Sequence, residues 1–214
     1  MAERDWPGTV GIVRTGLFKT NFVYGEVSEM ASAYAKNLIQ RVMDASFGTT
    51  WEEAVREWEI VDCEEDEECE SYCVCGKEHI RYLYTIRNVE TGRQIYPIGS
   101  SCIQKFQRDD LEEEIAVMEG MFKLYRAIRN REMIELSSKY FSKKLLWALY
   151  EDGAFAPSQY NDFDGHNDYQ FMLDMFNKRI KSNITQRQQA KIRGIIAYSI
   201  RPYLLRKLKF KSRV

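Results

Sequence analysis

The chain has 214 residues, of which 44% are hydrophobic and 13% aromatic, and its bases and acids nearly cancel to a net charge of -1. That composition suits a globular protein with a sizeable core and excludes a disordered chain. No apolar run approaches membrane-spanning length, and Met1-Ala2-Glu3-Arg4-Asp5 lacks the apolar segment of a signal peptide. Five clustered cysteines, an odd number, point to metal binding in a reducing cytosol over disulfides. A soluble intracellular protein with no membrane partner is expected.

In chain order, Val10, Ile12, Leu17, Phe18, Phe22, Val23 and Val27 are broken by Gly8, Gly11, Gly16 and Gly25, which predicts an N-terminal β-hairpin or meander over residues 1–27. No Gly-Lys-Ser/Thr ending follows, so these glycines do not form a phosphate loop. Ser28 is a cap for a helix to about Phe47, with Ala31, Tyr34, Ala35, Leu38, Ile39, Val42 and Met43 on one face and Gly48 as the stop. Thr50 with Glu53 is a capping box for a shorter helix through Trp58, whose inner face holds Trp51, Val55 and Trp58.

The small net charge hides two poles. Residues 52–70 hold eleven acids against one base, Arg56, so the stretch carries 1 minus 11, or -10. Residues 175–214 hold twelve bases and no acid, or +12. The run Cys63 to Glu70 reads as a solvated loop, because adjacent carboxylates repel and nothing apolar interrupts them. A sharper alternative is a surface of Glu65, Asp66, Glu67 and Glu68 that mimics nucleic-acid phosphates and occupies a basic groove on a partner.

Cys73-Val74-Cys75-Gly76-Lys77-Glu78-His79 follows, and Gly99-Ser100-Ser101-Cys102 closes the same region. Ile80, Tyr82, Tyr84 and Ile86 alternate with Arg81, Leu83, Thr85 and Arg87 as in a strand, Glu90-Thr91-Gly92 makes the turn, and Arg93 to Ile98 returns. That hairpin brings Cys102 back beside Cys73 and Cys75. Zinc takes about four soft or borderline ligands in a tetrahedron, so Cys73, Cys75, His79 and Cys102 are the candidate ligands. Cys63 or Cys69 can replace His79 in that set, and the alternative to a metal is buried thiols beside a surface histidine. Four protein ligands leave no open position for water, which favours a structural zinc over a catalytic one. Ser100-Ser101 before Cys102 can open a helix whose dipole favours the thiolate.

Asp109 or Asp110 is expected to cap a long helix in which Leu111, Ile115, Met118, Phe122 and Tyr125 advance by three or four residues. Acids come first and Lys123, Arg126, Arg129 and Arg131 later, as the helix dipole prefers. A second helix carries Tyr140, Phe141, Leu145, Leu146, Trp147 and Leu149 and ends at Gly153. Ala154 to Asn167 reads as a loop with two aromatics to anchor it and an exposed His166. The rest is helical, with a capping box at Thr185 and Gln188, a stripe from Ile192 to Leu204 and a bend at Pro202. The expected fold class is α+β, mostly helical, with a small zinc-bound β-hairpin module inserted between helices. Its segments are 1–57 (hairpin plus helices), 58–106 (zinc module) and 107–214 (helical region).

The stretch Cys73-Val74-Cys75-Gly76, Ile86-Arg87-Asn88, Thr91-Gly92, Ile98-Gly99-Ser100-Ser101-Cys102-Ile103 and Phe106 resembles a zinc-binding module in proteins of phages of Gram-positive bacteria. Leu145-Leu146, Gly153-Ala154-Phe155, Tyr160-Asn161, Tyr169 and Met175-Phe176-Asn177-Lys178-Arg179 are similar to the same proteins. The two stretches span roughly the second and third thirds of the chain, and residues 1–57 take no part. The resemblance implies Cys73, Cys75 and Cys102 as zinc ligands, with His79 the fourth by position. Some such proteins resemble anti-CRISPR inhibitors of type II-A Cas9. It therefore implies a non-enzymatic, zinc-binding protein of the host bacterial cytoplasm that binds Cas9 and blocks recognition of target DNA.

A second expectation is a zinc-stabilised nucleic-acid-binding phage protein that uses its basic C-terminal helix, where the bases meet Tyr198, Tyr203 and Phe210. An enzyme is disfavoured. The H-x-E and P-C-x-x-C signature of deaminases is absent, and no nucleophile–base pair or phosphate loop stands out.

Overall fold

The structure, a computed structural model, describes residues 32–213, so the strands expected over residues 1–27 and the cap expected at Ser28 lie outside it. Helix α1 (Ala33–Ala45) starts at Ser32, whose hydroxyl accepts from the Ala35 N–H, and Leu38 and Val42, one turn apart, seat it on the core. Thr50 and Glu53 form the expected capping box of α2 (Trp51–Ala54). That helix lasts a single turn. The chain tightens over Val55–Glu57, and Trp58 already opens a strand, its indole N–H donating to Ser46 Oγ at 2.9 Å.

Strands β1 (Trp58–Asp66), β2 (Tyr82–Asn88) and β3 (Gln94–Ile98) form the antiparallel part of a sheet ordered β3-β2-β1-β4. The short β4 (Ser212–Arg213) pairs in parallel with Glu65 and Asp66. The run expected as a solvated loop is thus strand as far as Asp66. Repulsion among its carboxylates does not decide the matter, because cations from distant segments close over them.

A short α3 (Ser100–Ile103) carries Cys102, as the Ser-Ser pair suggested, and leads to α4 (Asp109–Arg129). Arg108, not an aspartate, occupies the cap of α4, and Asp109, Asp110 and Glu112 lie in its first turn, where the dipole favours acids. Leu111, Ile115, Phe122 and Tyr125 turn into the core, and Phe122 meets Tyr82 of β2 with ring centroids 5.9 Å apart. Next come α5 (Lys143–Glu151), capped by Ser142, and α6 (Gly165–Asn177), capped by Asp164. Thr185 and Gln188 box the start of α7 (Gln186–Ile195).

From Ile196 to Ile200 the helix widens into a π turn, and α8 (Arg201–Lys207) continues from it. Pro202 follows the π turn directly, in the first turn of α8. Leu146, Leu149, Met172 and Leu204 from these helices are fully enclosed, and they join the sheet residues Leu83, Tyr84, Ile86 and Ile98 in one buried core. The molecule is α+β and mostly helical, with the cysteine-bearing hairpin between helices. The expected segments 58–106 and 107–214 meet in the sheet, since β4 completes it. No described helix is long and apolar enough to cross a membrane.

Candidate metal centre and charged faces

Cys73 and Cys75 sit on a tight loop between β1 and β2. The Cys73 N–H donates to the Lys77 carbonyl and the Gly76 N–H to the Cys73 carbonyl, both at 2.8 Å. Gly76 has φ +95°, a backbone that a side chain would disfavour. Two further bonds fix the loop in place. The Val74 N–H donates to the Pro97 carbonyl at 2.9 Å, and Asn37 of α1 donates to the Cys75 carbonyl at 3.0 Å. The end of β3 then delivers Cys102 on α3.

The sulfur atoms converge. Cys102 Sγ lies 3.7 Å from Cys73 Sγ and 3.4 Å from Cys75 Sγ, and the Gly99 N–H points at Cys73 Sγ from 3.3 Å. All three side chains are buried, and their sulfurs lie within 4.8 Å of one another. The hydrogen bond from the Cys102 thiol pulls the Cys73 thiol well below its ordinary value, and the same contact, with burial, pushes Cys102 up. The cluster therefore favours a thiolate at Cys73. Three converging buried thiols, one of them ready to ionise, can hold a metal ion.

His79 does not join them, contrary to the expected ligand set. Its backbone is left-handed at φ +58°, its side chain is exposed, and its Nδ1 lies 3.0 Å from the Cys69 carbonyl oxygen. The loop that bends tightly around Gly76 thus carries the imidazole outward. Neither alternative ligand takes its place. Burial pushes the thiol of Cys63, a residue of β1 itself, up to about 12, and Cys69 Sγ faces the Asp66 carbonyl at 3.7 Å. The three thiols are the one such group among the described residues.

The acidic quartet is also not the open surface expected. Glu65 is 0% exposed and ion-paired with Arg126 of α4, with Arg81 at 3.7 Å. Asp66 accepts from the N–H groups of Cys69, Glu70 and Ser71 at 3.1, 3.0 and 2.9 Å and from the Ser71 hydroxyl at 2.7 Å. Burial pushes its carboxyl up, but these bonds together outweigh burial and hold it below its ordinary value. Glu67 binds Arg129 and the Ser212 hydroxyl, and Asp62 binds Lys211. Of the quartet only Glu68 stands exposed. The carboxylates fasten α4 and the C-terminal segment to the sheet.

The basic pole is only partly used in that way. Lys211 meets Asp62, Lys207 meets Asp152, and Lys191 lies 3.2 Å from Asp168. Arg187, Arg193, Arg201 and Arg206 are exposed and form no ion pair among the described residues. Tyr198 and Phe210 stand in solvent as expected of a basic, aromatic surface, whereas Tyr203 turns into the core. His166 packs against Tyr150 and Tyr169, with centroids 5.5 and 5.9 Å apart.

The loop expected before α6 is present; of its aromatics Phe155 is buried against Tyr169, with ring centroids 6.3 Å apart, while Tyr160 and Phe163 stand exposed. Not anticipated were Asn161, buried in the loop, and its partner Asp168, buried in the first turn of α6. The cue was the pair Asn161 and Asp168, whose side chains can satisfy a loop's backbone.

Comparison with known protein families, curated proteins and solved structures finds no match.

Proposed function

We propose that the chain is a zinc-stapled binding protein, not an enzyme, and that the exposed arginines of α7 and α8 bind nucleic acid. One observation carries this reading. Asp62, Glu65, Asp66 and Glu67 of the acidic pole are bonded within the fold, while Arg187, Arg193, Arg201 and Arg206 remain exposed without an ion pair among the described residues. Exposed arginines not committed to carboxylates are free for phosphates, and Tyr198 and Phe210 add surfaces on which bases stack.

Zinc suits the thiol cluster. Tetrahedral bonds of about 2.3 Å place neighbouring sulfurs about 3.8 Å apart, close to the 3.7 and 3.4 Å separations here. When bound, zinc would lock the hairpin to α3, with Cys73, Cys75 and Cys102 as thiolates. His79 would complete the tetrahedron only if its exposed ring swung inward, with Nε2 as the ligand and Nδ1 free to keep its bond to the Cys69 carbonyl.

The resemblance to phage proteins supports a Cas9 complex in the host cytoplasm as the target. With the acidic strand turned inward, this contact would run through nucleic acid held by Cas9, not through phosphate mimicry. Mobility-shift titrations with DNA strands at rising salt test the reading. Binding should fall steeply with salt, and Arg193→Glu, Arg201→Glu and Arg206→Glu together should abolish it while melting stays unchanged. Binding unaffected by the triple reversal would overturn it.

A further inference from the structure

A cavity of about 770 Å³ opens between the loop Ala156–Tyr160 and the junction of α7 with the π turn. Its rim carries two tyrosines, Tyr160 at 79% and Tyr198 at 84% exposure. Gly194 lies in its wall, where an added Cβ would meet nothing within 4 Å. Exposed rings thus stand on both sides of an open, largely apolar slot, and paired exposed aromatics can serve as a stacking platform for bases.

The rim is also held in place. Asn161, buried, donates to the Ala156 carbonyl and to Asp168 Oδ2, both at 3.0 Å, and accepts from the Ser158 N–H at 2.7 Å. Asp162 and Phe163 follow at φ +55° and +58°, a left-handed pair without glycine. Such strain persists where surrounding contacts impose it, commonly at binding sites. On the opposite wall the π turn sets Tyr198 and Ser199 onto the slot, and π turns recur at functional positions.

Besides the hydroxyls of Ser158, Ser199 and the two tyrosines, the slot holds one charged pair, Asp168 and Lys191. Asp168 is 4% exposed, and its Oδ1 makes no hydrogen bond but stands 3.2 Å from Lys191 Nζ. Lys191 also lies over the Phe171 ring at 4.7 Å. A buried carboxylate on one side and a ring on another fix this ammonium at the cavity wall. Arg187, one turn earlier on α7, lies on the same side of the helix.

We infer that this cleft seats one base of single-stranded nucleic acid, stacked on Tyr160 and Tyr198, with guanine preferred and Arg187 on the adjoining phosphate. An ammonium offers only donors, and guanine presents O6 and N7 as neighbouring acceptors. The inference rests on the nucleic-acid reading above for the strand, but not for the base.

The test titrates the metal-loaded full chain with labelled oligothymidine strands, with or without one central guanine, and separately with guanosine monophosphate. The guanine strand should bind about ten-fold more tightly. Tyr160→Ala and Tyr198→Ala should each weaken it about ten-fold, with Tyr198→Phe restoring affinity. Lys191→Gln should erase the guanine preference, with melting checked for each variant. Strand binding that ignores guanine and both tyrosine changes would overturn the base seat and leave the basic face standing. Tyrosine-dependent binding of guanosine monophosphate without any strand binding would support the seat and overturn the face. Binding of neither probe would overturn both.

Discussion

Arg126 of α4 closes its guanidinium onto Glu65 of β1, and none of that glutamate side chain reaches solvent. The pair joins the longest helix to the sheet through the middle of what the sequence presents as an acidic run. Glu65→Ala should cost about 3 kcal/mol in chemical denaturation, because the guanidinium then stays partly buried without its partner. Glu68→Lys, at an exposed position, should change stability by less than about 0.5 kcal/mol. A Glu65 variant that folds normally yet loses a binding activity would restore the acidic strand as a contact surface.

Metal removal should be global in its effect. Structural zinc contributes on the order of 10 kcal/mol to small metal modules, comparable to the stability of a whole domain. Elemental analysis should find about one zinc per chain, lost in Cys73→Ser, Cys75→Ser and Cys102→Ser. It should be kept in Cys63→Ser, Cys69→Ser and His79→Ala. A strong chelator should lower the melting temperature sharply. Zinc lost from His79→Ala would show that the imidazole turns inward when the ion binds.

Asp66, which anchors the turn after β1 through four hydrogen bonds, should be acid-sensitive. Its carboxyl is held below 3.8 in the folded protein, so its contribution is complete above that value and is lost as pH falls through the lower folded value. Asp66→Asn should cost about 2 kcal/mol at neutral pH and flatten the acid limb of a stability-against-pH curve. An unchanged limb would place the acid sensitivity elsewhere.

Cutting the chain after Pro202 is not a clean way to delete positive charge. It removes Tyr203, Leu204 and Leu208, all buried, together with β4. Leu204→Ala alone should cost about 3 kcal/mol in urea unfolding. Loss of function on truncation would therefore report unfolding. The arginine reversals, at exposed positions, leave the core intact and report contact.

Gly165, the first residue of α6, has no room for a side chain, since an added Cβ would sit 2.0 Å from the Phe155 carbonyl oxygen. Gly165→Ala should destabilise by about 2–3 kcal/mol, read from thermal melts, because backbone must move.

Local signals in the sequence survived folding well. The capping boxes at Thr50–Glu53 and Thr185–Gln188, the inward stripe of α4 and the meeting of Cys73, Cys75 and Cys102 all rest on short-range chemistry or on one hairpin. What stayed hidden depends on partners far along the chain. Glu65 and Glu67 look solvated until Arg126, Arg129 and Ser212 arrive, and Asp62 until Lys211 does. His79 has a ligand's spacing, but spacing does not reveal that its backbone turns left-handed and bonds to Cys69. Nor does Pro202 betray the π turn before it, which moves Tyr198 to the cleft.

The converging thiols also make residues 73–102 a closed ring whenever an ion joins them. The exposed turn Glu90-Thr91-Gly92 lies on that ring, opposite the sulfurs. A protease that nicks this turn would sever the chain without separating the pieces, since Cys75 and Cys102 would still share the metal. Cleavage would then be silent in a sizing column and visible only on a denaturing gel, until a chelator opened the clasp.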